Sequence, residues 1–206
     1  MLEIDHVILA VPSMDEALGW LAEEYGLVGI ATSADESPIE TAIVPFENSQ
    51  YLEVLALKSS VEESGPTARL ARRLSRKGPH FWGFAIRTSD IALAAARTGR
   101  PISSFEGRRV RSRTVRPSDD LANQLPFCIE YLDGTGDAYL EGLRERSAGE
   151  PMGLRFAELS LFADPTRVTE WLGADLPTLQ VHHGDAGLRS VAIDTPKGKI
   201  QITFEG

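Results

Sequence analysis

Residues 4–26, IDHVILAVPSMDEALGWLAEEYG, run from a strand through a turn into a capped helix, and the fold is decided by how often this pattern returns. Alternation over IDHVILAV puts Ile4, His6, Ile8 and Ala10 on one face. Ser13 with Glu16 three residues later forms a capping box, and the helix it opens closes at Gly26. Three extended runs follow: LVGIAT (27–32), TAIVPF (41–46) and YLEVLAL (51–57). The order is β-α-β-β-β.

From residue 81 the order restarts. FWGFAIRT (81–88) reads as a strand, Asp90 as an N-cap and IALAAARTG (91–99) as a helix. A short run near PISSF (101–105), the arginine-rich GRRVRSRTV (107–115) and FCIEYL (127–132) follow. The N-caps Ser13 and Asp90 are 77 residues apart, and so are Glu53 and Glu130 in the last strands. A single offset therefore aligns both ends of the two copies. A third copy follows: RFAELSLFA (155–163), an Asp164-Pro165 helix start, TRVTEWLG (166–173), then LQVHHG, LRSVAIDT and KIQITF.

The predicted organisation is thus two paired modules, 1–57 and 81–133, with a helical linker 58–80, a connector 134–154 and a third βαβββ module 155–206. Helices are expected over ARLARRLSRK (68–77) and AYLEGLRERS (138–147), while GTGDAY (134–139) reads as a turn, because it lacks the context of a dinucleotide loop.

The chain of 206 residues is 42% apolar and 25% charged, which excludes disorder as its default state. No apolar run reaches the roughly 18 residues of a membrane helix, and the first residues lack a basic leader, so a cytoplasmic protein is expected. A net charge of −9 argues against non-specific nucleic-acid or anionic-membrane binding. A single cysteine, Cys128, excludes internal disulfides and thiolate zinc clusters, so any metal would use His and carboxylate. Arg69, Arg72, Arg73, Arg76 and Lys77 read as a solvated helix face. Arg109, Arg111 and Arg113 would share a strand face and suit an acidic ligand.

Glu53 stands in YLEVLAL among apolar residues, where an ionised carboxylate needs a cation, a metal or several donors. His6 stands among apolar neighbours on the first strand, and Glu130 takes in the second module the place of Glu53. The counterpart of His6 is Gly83. His6, Glu53 and Glu130 thus mark a metal or substrate site, with Cys128 on the face of Glu130. His182 and His183 fall on opposite strand faces, which excludes joint chelation.

With DHVILAVPSMDEAL opening the first module, YLEVLAL closing it and LPFCIEYL closing the second, the chain resembles the vicinal oxygen chelate superfamily, and within it the glyoxalase-like domain family. The resemblance implies an α+β fold in which two modules curl into a half-open mixed barrel around one divalent ion (zinc, nickel, manganese, cobalt or iron). By position His6, Glu53 and Glu130 would be its ligands, with Gly83 leaving the fourth place without a side chain and His80 nearby as a substitute. The implied activity is a lyase or isomerase acting on a small oxygen-rich substrate, with Glu130 as general base and Arg109, Arg111 or Arg113 on an acidic group. The alternative is a metal-free binding protein of the antibiotic-sequestering type. A homodimer is a further implication.

Overall fold

The alternating runs and capped helices build twelve strands and four helices among the described residues of a computed structural model, which cover 2–33, 37–58, 78–107, 109–118, 121, 124–146 and 153–204. The first module comprises β1 (Leu2–Ala10), α1 (Met14–Tyr25), β2 (Ile30–Ala31), β3 (Ile39–Pro45) and β4 (Tyr51–Leu57). In the second are β5 (His80–Thr88), α2 (Ile91–Thr98), β6 (Ile102–Glu106), β7 (Arg111–Val115) and β8 (Phe127–Tyr131). After α3 (Thr135–Arg146) come β9 (Arg155–Phe162), α4 (Pro165–Leu172), β10 (Leu179–His182), β11 (Gly187–Thr195) and β12 (Gly198–Thr203). The linker helix expected over 68–77, with its five basic residues, lies outside the described residues, as does Arg108.

The caps behave as the sequence requires. Ser13 Oγ accepts the Glu16 N–H at 3.4 Å, Asp90 accepts from Leu93 at 2.9 Å, and Asp164 accepts from Thr166 at 3.0 Å with Pro165 opening α4. Gly26 ends α1 at φ 67°, a left-handed conformation that favours glycine.

In each of the first two modules the first strand pairs in parallel with the last, β1 with β4 and β5 with β8. Antiparallel β1–β5 pairing joins them into one eight-stranded sheet, β2-β3-β4-β1-β5-β8-β7-β6. The seam is two-fold: His6 faces Ala85, Ile8 faces Gly83, and Val7 lies opposite Phe84 between them. Each strand carries a β-bulge, at Asp5 in β1 and at Trp82 in β5, 77 residues on. Gly83 is therefore the counterpart of His6.

The last strands keep a different offset. Ile8 pairs with Glu53 and Ala85 with Phe127, so the counterpart of Glu53 is Phe127, 74 residues later, and not Glu130. The second module is three residues shorter between helix cap and last strand. An odd difference exchanges the two faces of a strand, so Glu130 looks away from the face that carries Glu53.

Residues 155–204 form a separate four-stranded sheet, β10-β9-β11-β12. Its elements follow the order read from the sequence, but β9 pairs in parallel with β10 and antiparallel with β11 rather than lying beside the last strand. This sheet covers the outer face of the large one, with β11 packed across β5. Ile4, Leu9, Phe84 and Ile86 merge there with Phe156, Leu159, Val191 and Ile193 in one core. Trp171 of α4 donates to the Pro126 carbonyl at 2.8 Å and Arg97 of α2 to the Trp171 carbonyl at 2.9 Å, which fixes α4 to the second module.

The inner face is partly filled by α3. Of GTGDAY, residues 135–139 are helical there and only Gly134 stays in a turn, because Gly136 lets the first turn of the helix lie on the Tyr131 ring. Leu140 and Leu143 then pack on Ile43 and Tyr51. Alanine at a helical glycine ordinarily stabilises by about 0.5–1 kcal/mol. At Gly136, however, a Cβ would meet Tyr131 Cδ2 at 2.6 Å and Cδ1 at 2.7 Å. Overpacking of this kind costs about 1–3 kcal/mol. Gly136→Ala should therefore lower the urea midpoint, and a raised midpoint would show that α3 does not bear on Tyr131.

Candidate functional site

The bulge at Asp5 creates the site. Strict alternation would send neighbouring side chains to opposite faces, but the extra residue puts Ile4 in the outer core with Val7 and Leu9, while His6 and Ile8 face inward. It also lets Asp5 and His6 touch. The Asp5 carboxylate, fully buried, accepts from Arg87 Nε–H at 2.7 Å and from the Tyr131 hydroxyl at 3.1 Å. A carboxylate so engaged is an acceptor only, so His6 Nδ1 must be the donor in the 2.6 Å contact with Asp5 Oδ1. The other ring nitrogen, Nε2, points into the cavity, 3.8 Å from Glu53 Oε2. Stacking on Tyr51, centroid distance 4.4 Å, and an edge contact with Phe127 at 5.4 Å hold the ring plane.

Arg87 is a three-way tie. Besides Asp5 it donates to Asp137 of α3 at 2.8 Å and to the Ser49 carbonyl at 2.8 Å, and its guanidinium lies over the Tyr131 ring. The Tyr131 proton is committed to Asp5, so Tyr51 donates to Tyr131 in their 3.2 Å contact. Burial raises both phenols well above the usual tyrosine range, which keeps them protonated as donors.

His6 and Glu53 open into a cavity of about 620 Å³ on the inner face of the large sheet. Its far wall comes from the second module. Ser112, Thr114 and Arg116 supply polar groups, and Trp82, Phe127 and Ile129 an apolar surface. Arg116 rests its guanidinium 4.2 Å from the Phe127 centroid. Burial raises the pKa of Glu53; the charges of His6 and Arg116 oppose that shift and Asp5 adds to it.

The other residues singled out in the sequence lie elsewhere. Glu130 is paired with Arg113 through Nε at 2.8 Å and through a second guanidinium nitrogen, on the outer face of β7 and β8. Cys128 does share that face, but it is fully buried in the outer core and does not line the cavity. Arg111 is paired with Asp133, and Arg109 lies beside α3. His80 bonds the Gly78 carbonyl at 2.9 Å, outside the cavity lining. The face in RSRTV that matters is the other one, Ser112 and Thr114. Val115 and Cys128, apolar residues in phase with Arg113 and Glu130, were the signal that this phase packs outward.

These placements bear on the implied ion. The first module offers one imidazole nitrogen and one carboxylate, the second offers Gly83 and Phe127 at the equivalent positions, and Arg116 adds positive charge beside Glu53. Among the described residues no three His, Cys, Asp or Glu side chains come together as a ligand set. A catalytic ion is ordinarily held by three protein ligands, and this donor set does not fit one.

Two variants probe the site. Asp5→Ala leaves Arg87 and His6 without their shared acceptor, and removing one partner of a buried pair costs roughly 3–5 kcal/mol. Chemical denaturation should register that loss; an effect under about 1 kcal/mol, the scale of an exposed pair, would mean that Asp5 is not the anchor. For Glu53 the raised pKa sets the sign. Above 4.5, the ordinary glutamate value, the native state holds a proton that the unfolded chain has released, so stability falls as pH rises through this window. Glu53→Gln should therefore stabilise the protein at neutral pH and gain less at acid pH. Equal stability of the two proteins at neutral pH would contradict the burial cost.

Comparison with other proteins agrees with this architecture. No curated protein matches the sequence. A hypothetical protein from Staphylococcus aureus superposes over 98% of this chain and 86% of its own, with TM-score 0.59 at 11% identity, and so shares the fold. The methylmalonyl-CoA epimerase of Mycobacterium tuberculosis overlaps 63% of this chain and 86% of its own at 22% identity and TM-score 0.45. That of Streptomyces coelicolor overlaps 64% and 94% at 19% identity and TM-score 0.47. Superpositions at that level do not by themselves establish a common fold. The glyoxalase-like domain profile matches residues 4–176, and the chain belongs to that family, built on the vicinal oxygen chelate fold.

Proposed function

We propose that the protein is a proton-transfer enzyme, an isomerase or lyase that removes and returns a proton at a carbon beside a carbonyl in a small oxygen-rich substrate. One observation carries this reading: a histidine locked by a buried carboxylate into a single tautomer, its free nitrogen in a cavity beside a glutamate that burial makes more basic. A carboxylate whose pKa lies closer to neutrality is the better general base. Glu53 takes the proton, the C–H electron pair moves into the carbonyl, and the enolate oxygen is held by Arg116 with the Ser112 and Thr114 hydroxyls. With an α-hydroxy carbonyl substrate Glu53 then delivers the proton to the neighbouring carbon of the enediolate while the hydroxyl proton passes to the other oxygen, so that the product is the 1,2-isomer. His6, oriented by Asp5, contacts Glu53 through the bound substrate or one water, since 3.8 Å is too long for a direct hydrogen bond. No step needs an oxidant. The reading moves the base from Glu130 to Glu53 and places charge stabilisation on Arg116, because the donor set fits no resident ion.

The apolar wall of Trp82, Phe127 and Ile129 favours a second reading, sequestration of a small ligand without turnover.

Incubation in D2O with a panel of 2-oxo acids, 3-oxo acids and α-hydroxy ketones, followed by proton NMR, separates these. We expect α-proton exchange that survives chelator treatment and falls about a hundredfold or more in Glu53→Gln, the scale of one general base. Saturable binding without exchange would establish the second reading. Exchange unchanged in Glu53→Gln, or lost on chelation and restored by a divalent ion, would overturn the assignment.

A further inference from the structure

A second cleft, of about 330 Å³, lies between α3 and the turn that joins β6 to β7, lined by Arg109, Ala138, Tyr139, Gly142, Leu143 and Arg146. Its charge sets it apart. Arg111, Arg113 and Arg144 nearby are each paired with a carboxylate, of Asp133, Glu130 and Glu141 respectively. Arg109 and Arg146 make no ion pair among the described residues, although the chain carries a net charge of −9 and acidic groups to pair with them are plentiful. A favourable interaction with the carbonyl end of α3 accounts in part for Arg146, at the last residue of that helix, but not for Arg109, which comes from another element. Two arginines on the walls of one concavity give it a positive potential that favours an anion.

The shape of the helix agrees with an occupant. Ala138, Gly142 and Arg146 follow one another at intervals of four along α3, so a small-residue floor leads to the charge. A Cβ built at Gly142 meets nothing within 4 Å, so the groove is open there. The cleft also adjoins the reaction cavity. Arg109 lines the one and Val110, the next residue, lines the other, so both share the β6–β7 turn as a rim.

We infer that this cleft binds an oxyanion, phosphate or carboxylate, at the far end of an elongated substrate whose reacting carbon lies at Glu53. The tail assignment rests on the proton-transfer reading; the anion site does not.

Calorimetric titration of the full chain with pyrophosphate and with malonate, at low ionic strength, tests the site with no substrate in hand. Saturable binding is expected, weakened about tenfold or more in Arg109→Gln/Arg146→Gln and further in Arg109→Glu/Arg146→Glu. Glu53→Gln and Arg111→Gln should leave it unchanged. No saturable binding, or affinity unaltered in the double variants, overturns the anion site whatever the fate of the proton-transfer reading. Loss of binding in Arg116→Gln with none in the double variants places the anion in the reaction cavity and likewise overturns it. Preference of pyrophosphate over malonate identifies a phosphate-ended tail, and the reverse a carboxylate-ended one. Where exchange is observed, the double variants should raise KM for substrates with a distal oxyanion about tenfold and leave kcat unchanged. A matching rise for substrates without that group overturns the tail assignment alone.

Discussion

The inner face of the protein is organised around one buried carboxylate. Asp5 has no contact with water, and an ionised group in that position is tolerable only if every lone pair finds a donor. One of its three donors is the neighbouring residue, His6, and the other two come from distant parts of the chain, Arg87 in β5 and Tyr131 at the end of β8. Satisfying Asp5 thus fixes the tautomer of His6 and the seam between the two modules. Through the Arg87–Asp137 pair it also fixes the seat of α3. The cavity follows from those three constraints.

The modular architecture was legible in the sequence because its signals are local. Helix caps at Ser13, Asp90 and Asp164 and the alternation of IDHVILAV and YLEVLAL each report on a few adjacent residues. The first-strand offset of 77 was also real, and correctly made Gly83 the partner of His6. What misled was the second pair of markers. Glu53 and Glu130 share a residue type at the same spacing, yet strand pairing gives an offset of 74 there, and three residues are enough to turn a side chain from cavity to outer face. No local signal in the sequence reports where a module has lost residues between elements.

Other parts of the site depend on contacts that no local pattern encodes. Whether Asp5 and His6 can touch depends on a bulge, which is a property of the pairing between β1 and β5 rather than of either strand. Arg87 reads in sequence as an ordinary charged residue at a strand end; its role appears only when Asp5, Ser49 and Asp137 arrive around it. The arginines of RSRTV drew attention for their number, while the hydroxyls between them line the cavity. The two modules differ within one symmetric frame, the first supplying His6 and Glu53 to the cavity and the second Arg116, the Ser112 and Thr114 hydroxyls and the apolar wall that faces them.

The central position of β1 has a consequence for biosynthesis. During translation β1 can pair with β4 once residue 57 has left the ribosome, but its opposite edge has no partner until β5, ending at Thr88, has followed. For that interval the nascent chain exposes an unpaired edge and an apolar outer face, the kind of surface on which aggregation nucleates. A holdase acting on this protein would have most to protect in that window.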